Sequence, residues 1–261
     1  MNRRDFLKSI AAAGLGGALV FHGLDKFGTE AADIVPNSKR LQAKHWGMVI
    51  DVSKFNTAED FQAVARACHQ YHNVPDIDNS KHEVKWIWQE DFEHTFAELE
   101  SKYLSENVKK LKFPVLCNHC ENPMCVRVCP TQATFKRADG VVVMDFHRCI
   151  GCRYCMAACP YGARSFNFFD PRPYIEETNS EVPTRTKGVV EKCNFCMERL
   201  DKGLLPVCVE ASKGAIMFGD LEDPNSQVRQ VLRDNFSIRR KVELGTGPSV
   251  YYIIGGGGEG A

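Results

Sequence analysis

Residues 117–160 read CNHCENPMCVRVCPTQATFKRADGVVVMDFHRCIGCRYCMAACP, and the cysteine spacing within this stretch decides how the chain is organised. One run is Cys117-x2-Cys120-x4-Cys125-x3-Cys129-Pro130, and a second is Cys149-x2-Cys152-x2-Cys155-x3-Cys159-Pro160. Short loops of this kind wrap three thiolates round one iron–sulfur cube. The proline then turns the chain away, so that the fourth thiolate meets the neighbouring cube. On that cross-over rule Cys117, Cys120, Cys125 and Cys159 make one ligand set (A), and Cys149, Cys152, Cys155 and Cys129 make a second (B). Two adjacent runs are a far more specific signal than a lone C-x2-C, and they disfavour a zinc or disulfide reading of these eight residues.

Between the two runs, residues 133–137 and 141–145 are rich in β-formers and flank Asp139-Gly140, which predicts a hairpin. A third block, Cys193-x2-Cys196-x11-Cys208, is less specific. Alone it reads equally as part of a zinc site completed by a distant His or Cys. Once two cubes are granted, Cys193, Cys196, Cys208 and the isolated Cys68 most simply form a third set (C), because the twelve cysteines of the chain then divide into fours. Against this, a lone cysteine on an apolar helix face is often a small buried hydrophobe. His69 and His72 beside it are expected to face solvent, and they are the substitutes if Cys68 is not a ligand.

Other chemistries find little support. With 33 basic and 33 acidic side chains the net charge is zero, which gives no footprint for nucleic acid. There is no C-x-x-C-H for covalent haem. Neither glycine run opens a helix as a nucleotide loop does, and no constellation of nucleophile, base and oxyanion donors is present. Lys110, Lys112, Arg127, Arg148, Arg153 and Lys192 lie near the cysteine blocks, where they could offset cluster charge, although solvated surface is the default for each.

The first residues carry a targeting message. Arg3, Arg4 and Lys8 precede thirteen uncharged residues, 9–21 (SIAAAGLGGALVF), which are too short to span a bilayer at about 20 residues. Residues 1–31 resemble a twin-arginine (Tat) signal peptide of the pattern S/T-R-R-x-F-L-K, with Asn2 in place of its first residue, a weak cleavage site before Ala32 and retention as an anchor as the alternative. Tat export moves folded proteins, so the thiols can be committed to iron before they reach an oxidising compartment that would otherwise favour disulfides. The expected location is the periplasmic, extracytoplasmic face of the membrane.

Along the rest of the chain, residues 46–52 read as a strand and residues 57–72 as a helix capped by Asn56 or Thr57, with Phe61, Val64, Ala65 and Cys68 on its apolar face. Residues 73–116 form an insertion without cysteine. Its segment 92–104 reads as an amphipathic helix, and Trp86, Ile87 and Trp88 before it are expected to be core or cluster-shielding groups. Strands are predicted at 166–169, 214–219 and 250–254, a helix at 225–235, a loop at 170–187 and a disordered tail at 255–261. The fold class is α+β: tandem bacterial-type ferredoxin-like modules with hairpins, short helices and long inserted loops. The expected parts are residues 32–110 with the insertion, 111–170 with two clusters, and 171–261 carrying the third motif and packing back on 45–72.

KFPVLCNHCENPMCVRVCP, HRCIGCRYCMAACPYGARSF and KCNFCMERLDKGLLPVC resemble the motifs of the four-cluster ferredoxin-like electron-transfer subunits found beside molybdenum reductases, hydrogenases and quinone-linked membrane complexes. The resemblance runs from Trp46 to Ile254. In that family an IDxxKCxxCxxCxxxC motif comes first. Here VIDVSKF aligns with its start, but Phe55, Ala58 and Phe61 stand where the first three cysteines belong, Cys68 is a displaced fourth, and Ser212 replaces the last cysteine of the final motif. By the family's ligation rule one cluster has lost all four ligands while the other three keep theirs, which implies three 4Fe-4S clusters. With the Tat signal, this pattern is most similar to the periplasmic iron–sulfur subunits of the membrane complex that accompanies dissimilatory sulfite reductase. The resemblance implies a non-catalytic subunit relaying electrons in a membrane-associated respiratory complex of sulfur metabolism. It also implies an NrfD-type quinone-interacting integral membrane subunit and a multihaem cytochrome c or other redox subunit as partners, with membrane association through them or through a retained signal peptide. The alternative is the electron-transfer subunit of a periplasmic molybdopterin reductase of the tetrathionate or polysulfide type, or of a hydrogenase.

Overall fold

Five of the six residues of strand β1 (Trp46–Asp51, WGMVID) are buried, because it lies inside a sheet with a neighbour on either side. This is a computed structural model that describes residues 38–255, so the predicted Tat signal and most of the glycine tail lie outside the described residues. After β1 comes α1 (Ala58–Tyr71), started by a capping box in which the Thr57 hydroxyl accepts from the Asp60 N–H and the Asp60 carboxylate accepts from the Thr57 N–H. Phe61, Val64 and Cys68 recur on its buried face at helical spacing.

The insertion holds β2 (Ile87–Asp91) and, after two one-turn helices α2 (Phe92–Thr95) and α3 (Glu106–Lys109), β3 (Lys112–Leu116), which pairs antiparallel with β2. The amphipathic helix predicted over 92–104 does not form. Phe96 leaves helical geometry at φ −132° and ψ 50°, and its ring is fully buried against Phe92, Phe113 and Tyr252. Core packing overrides a periodicity that by itself reads as helix. Trp86 and Ile87 are buried as expected, and Trp88 is half-buried.

The ferredoxin-like segment is built from one-turn helices α4 (Met124–Arg127) and α5 (Tyr154–Ala157), which pack on each other, around the hairpin β4 (Thr134–Lys136) and β5 (Val142–Met144). Gly140 supplies the positive φ of +85° that the hairpin turn needs. Of the strand predicted at 166–169 only β6 (Ser165–Phe166) forms, paired with β7 (Val190–Glu191). Phe168 N–H turns back to the Phe166 carbonyl instead of continuing a ladder.

The remaining chain returns to β1. Helices α6 (Met197–Leu200) and α7 (Val207–Ala211) lead into β8 (Ile216–Asp220), which pairs antiparallel with β1. Helix α8 (Gln227–Asp234) covers that pair, β9 (Ser237–Ile238) follows, and β10 (Val250–Ile253) lies parallel to β1 in the register Met48↔Val250. The sheet order is β8-β1-β10-β9. Helix α7 packs on α1, so the third cysteine motif sits against the helix that carries Cys68.

Candidate metal centres

Set A is assembled by the turn after β3, by α4 and by the turn after α5. Cys117, Cys120, Cys125 and Cys159 line one cavity, together with Pro123, Val142, Pro160, Tyr161, Arg164 and Thr246. Cys129, Cys149, Cys152 and Cys155 line a second, with Ala133, Met144, Ile150 and Val190. The last cysteine of each run thus faces the other run's cavity. Local backbone makes the loops tight enough. Gly151, at φ +69° between Cys149 and Cys152, lies where a Cβ would collide with the Gly188 carbonyl, and Arg153 adopts a left-handed conformation (φ 61°) to start α5.

Set C is more deeply buried. Cys68 comes from the inner face of α1, Cys193 and Cys196 from the turn after β7, and Cys208 from α7, and all four are buried. Burial, followed by repulsion from Cys196, Cys193 and Cys208, pushes the Cys68 thiol well above its ordinary value. The same crowding operates in the other sets. Burial and then Cys117 raise the Cys120 thiol to about 12, and burial raises Cys155 and Cys159. Cys129 goes the other way: burial opposes ionisation, but hydrogen bonds from the Thr134, Thr131 and Ala133 region outweigh it and hold the thiol below its ordinary value. Quartets that repel one another as thiolates need a cationic centre to hold them ionised.

The donor sets fit a cluster better than a single ion. All twelve cysteines are free thiols. Four sulfurs on one zinc, with Zn–S of about 2.3 Å, would stand no more than about 4.6 Å apart. Among the described residues, the three-ligand group that converges within 4.8 Å is Glu90, Asp91 and His94, and no cysteine set is drawn in that tightly. The carboxylate of Asp91 is already engaged there, accepting from the His94 N–H at 3.0 Å and lying 2.6 Å from its ring Nδ1. The cysteine sets are spaced more widely than one tetrahedral ion would draw them, as a cluster would require.

His72 corrects an expectation. It does not face solvent: it is 1% exposed, its ring stacks on Trp86 at 4.3 Å, and its Nε2 lies 3.1 Å from Cys196 Sγ. Burial, helped by the charge of Arg185, pushes its pKa down to about 3, so it sits neutral. Trp86 Nε1–H donates to Glu191 Oε2 at 2.8 Å, and the same oxygen accepts from Arg185 Nε at 2.8 Å, giving a buried wall beside set C. His69 is half-buried, with a lowered pKa from burial. Of the cations noted near the blocks, Lys192 is also buried, its ammonium donating to the carbonyls of Val142 and Cys193. Sequence reading passed over Arg164, five residues beyond Cys159, which is buried beside sets A and B.

The positions of a fourth site hold no donors. Phe55 and Phe61 pack into the apolar core with Val64, Val207 and Ala211. The Ser212 hydroxyl donates to the Val209 carbonyl at 2.8 Å and accepts from the Ile216 N–H at 2.9 Å, so it is committed to the turn between α7 and β8.

Profiles described as a 4Fe-4S dicluster domain match residues 108–169 and 141–211. The chain is 39% identical to the Hdr-like menaquinol oxidoreductase iron–sulfur subunit 1 of Archaeoglobus fulgidus, over 98% of this chain and 99% of that protein. It belongs to the ferredoxin-like iron–sulfur subunit family. Within this family it is also 36% identical to the iron–sulfur cluster-binding subunit of menaquinone reductase from Nitratidesulfovibrio vulgaris, over 80% of this chain and 88% of that protein. It is 46% identical to the B subunit of tetrathionate reductase from Salmonella typhimurium, over 57% and 54%. Like other ferredoxin-like iron–sulfur subunits, the chain binds 4Fe-4S clusters and transfers electrons without a catalytic site of its own.

Proposed function

We propose that this chain carries three 4Fe-4S clusters, held by sets A, B and C, in tandem ferredoxin-like modules. It relays single electrons within a membrane-associated respiratory complex of sulfur metabolism. The observation that carries this reading is the partition of the cysteines: twelve free thiols fall into three groups of four with none left over. The clusters supply reversible one-electron chemistry when bound. The protein's own residues do the rest: short loops fix the thiolates, Trp86 and the Phe195 ring stacked on His119 exclude water, and buried polar groups tune the sites.

The partners in this proposal are an NrfD-type quinone-interacting membrane subunit and a multihaem cytochrome c or other redox subunit, as for the exported subunit type known as DsrO. Similarity to subunits named for menaquinol and menaquinone enzymes supports a quinone-linked complex. Among the described residues no helix is long and apolar enough to cross a membrane. Attachment in this proposal is through a partner or a retained signal carrying Arg3 and Arg4, on the periplasmic face after Tat export. The similarity to the tetrathionate reductase subunit favours a second reading, service to a molybdopterin reductase. Co-purification separates the two, since molybdopterin in the native complex selects the second and haem c with an integral membrane subunit selects the first. For cluster number, iron analysis of the intact holoprotein is expected to give about twelve irons per chain, three cubes of four. About sixteen, or about eight, overturns the three-cluster assignment.

A further inference from the structure

Three arginines are buried among the described residues, and they are balanced in three different ways. Arg185, 1% exposed, pairs with the equally buried Glu191 at 2.7 Å. Arg240 donates from Nε to the Thr95 carbonyl at 3.2 Å and lies over the Tyr161 ring at 5.6 Å, while its Nη1, like Arg164 Nη2, is buried without a hydrogen-bond partner; what sets it apart is that aromatic face. Arg164, 5% exposed, forms no ion pair with a carboxylate among the described residues. Its Nη1 donates to Thr134 Oγ1 at 3.2 Å and approaches Met144 Sδ at 3.5 Å, both uncharged, and its Nη2 is buried without a hydrogen-bond partner. A buried cation without a counter-charge is strongly unfavourable, so an anion is called for at this point. The guanidinium lines the set A cavity beside Cys117 and Cys125, and its neighbour Met144 lines the set B cavity with Cys155; Cys125, Cys155 and Cys117 are the thiols whose charge acts on it. Cys117 and Cys125 belong to set A and Cys155 to set B, whereas no cysteine of set C figures among its neighbours.

We infer that Arg164 is the shared counter-cation of the clusters in sets A and B, a positioning residue that raises both potentials together and leaves set C untouched. This rests on the ligand sets proposed above. Adding an electron makes a cluster more negative, and a fixed positive charge beside its ligands in a low-dielectric interior favours that reduced form. A single guanidinium between two cubes acts on both. The buried Lys192 differs, because its ammonium is spent on backbone carbonyls.

The test is an EPR-monitored redox titration of the holoprotein in its native complex, comparing wild type with Arg164→Met and Arg164→Lys, with iron measured on every sample. At full iron content, Arg164→Met is expected to move two of the three midpoint potentials to more negative values together and to leave the third in place, with Arg164→Lys recovering part of the shift. Unmoved potentials at full iron, or an equal shift of all three, overturn the inference while leaving the ligand sets standing. Wild-type iron far from twelve overturns the ligand sets instead. Should Arg164→Met lose iron, pulsed EPR of reduced protein labelled with 15N-arginine, compared between wild type and Arg164→Lys, decides. Nitrogen coupling to two cluster spins that is lost in Arg164→Lys supports the assignment, and coupling unchanged by that substitution overturns it.

Discussion

At the scale of single residues, Cys68 and Ser212 look alike in sequence, each a small polar side chain in a buried turn or helix, and the structure gives them opposite tasks. The Cys68 thiol points among Cys193, Cys196 and Cys208, and neutral His72 is held against Cys196. Replacing Cys68 by Ser is therefore expected to remove one cube, lowering iron from about twelve to about eight per chain, with the signals of sets A and B retained in EPR. Ser212 already satisfies Val209 and Ile216. Ser212→Ala leaves the Ile216 N–H buried without that acceptor, and a loss of about 1–2 kcal/mol is expected by denaturant titration, with iron content unchanged. A fall in iron in the second variant, or none in the first, would remove the distinction drawn between them.

At the scale of elements, α1 shows how a cluster-binding helix becomes a packing helix. Phe61 and Val64 lie two turns and one turn before Cys68 and fill space against α7, Phe61 standing where the family motif would place a ligand. Phe61→Ala should cost about 3 kcal/mol through the cavity it leaves, measurable as a shift of the denaturation midpoint, with the iron content of all three sets retained. Much of this was legible in the chain. The Asp139-Gly140 turn announced the hairpin, Thr57 with acidic residues just after it announced the start of α1, and the cysteine spacings announced which thiols share a cavity. What was not legible depends on contacts distant in sequence. Phe96 breaks a helix that its neighbours favour because its ring is claimed by Phe113 and Tyr252. His72 and Arg164 carry nothing local that separates them from surface residues of the same type. Their burial follows from Trp86 in the insertion and from two cysteine loops meeting at one point.

At the scale of the whole molecule, the chain is closed by its last strand. β10 lies beside β1, and its Tyr252 reaches into the insertion, where the hydroxyl donates to the Pro114 carbonyl at 3.1 Å and the ring meets Phe96 and Phe113. The same residue thus joins the end of the chain to β3, the strand that leads directly into Cys117. Burial pushes the Tyr252 phenol up to about 12, against about 10 in an unfolded chain. The folded state consequently holds a proton on this residue that the unfolded state releases first. Its contribution is fully present below pH 10 and is lost as pH rises through about 12, an amount of order 2–3 kcal/mol. Tyr252→Phe cannot ionise. Its stability at neutral pH should be lower by about 1 kcal/mol for the missing hydrogen bond, yet between pH 10 and 12 it should fall less steeply than wild type. Denaturant titrations of both proteins across that window check the sign, and parallel curves would mean that the closing strand is not held by a buried neutral phenol.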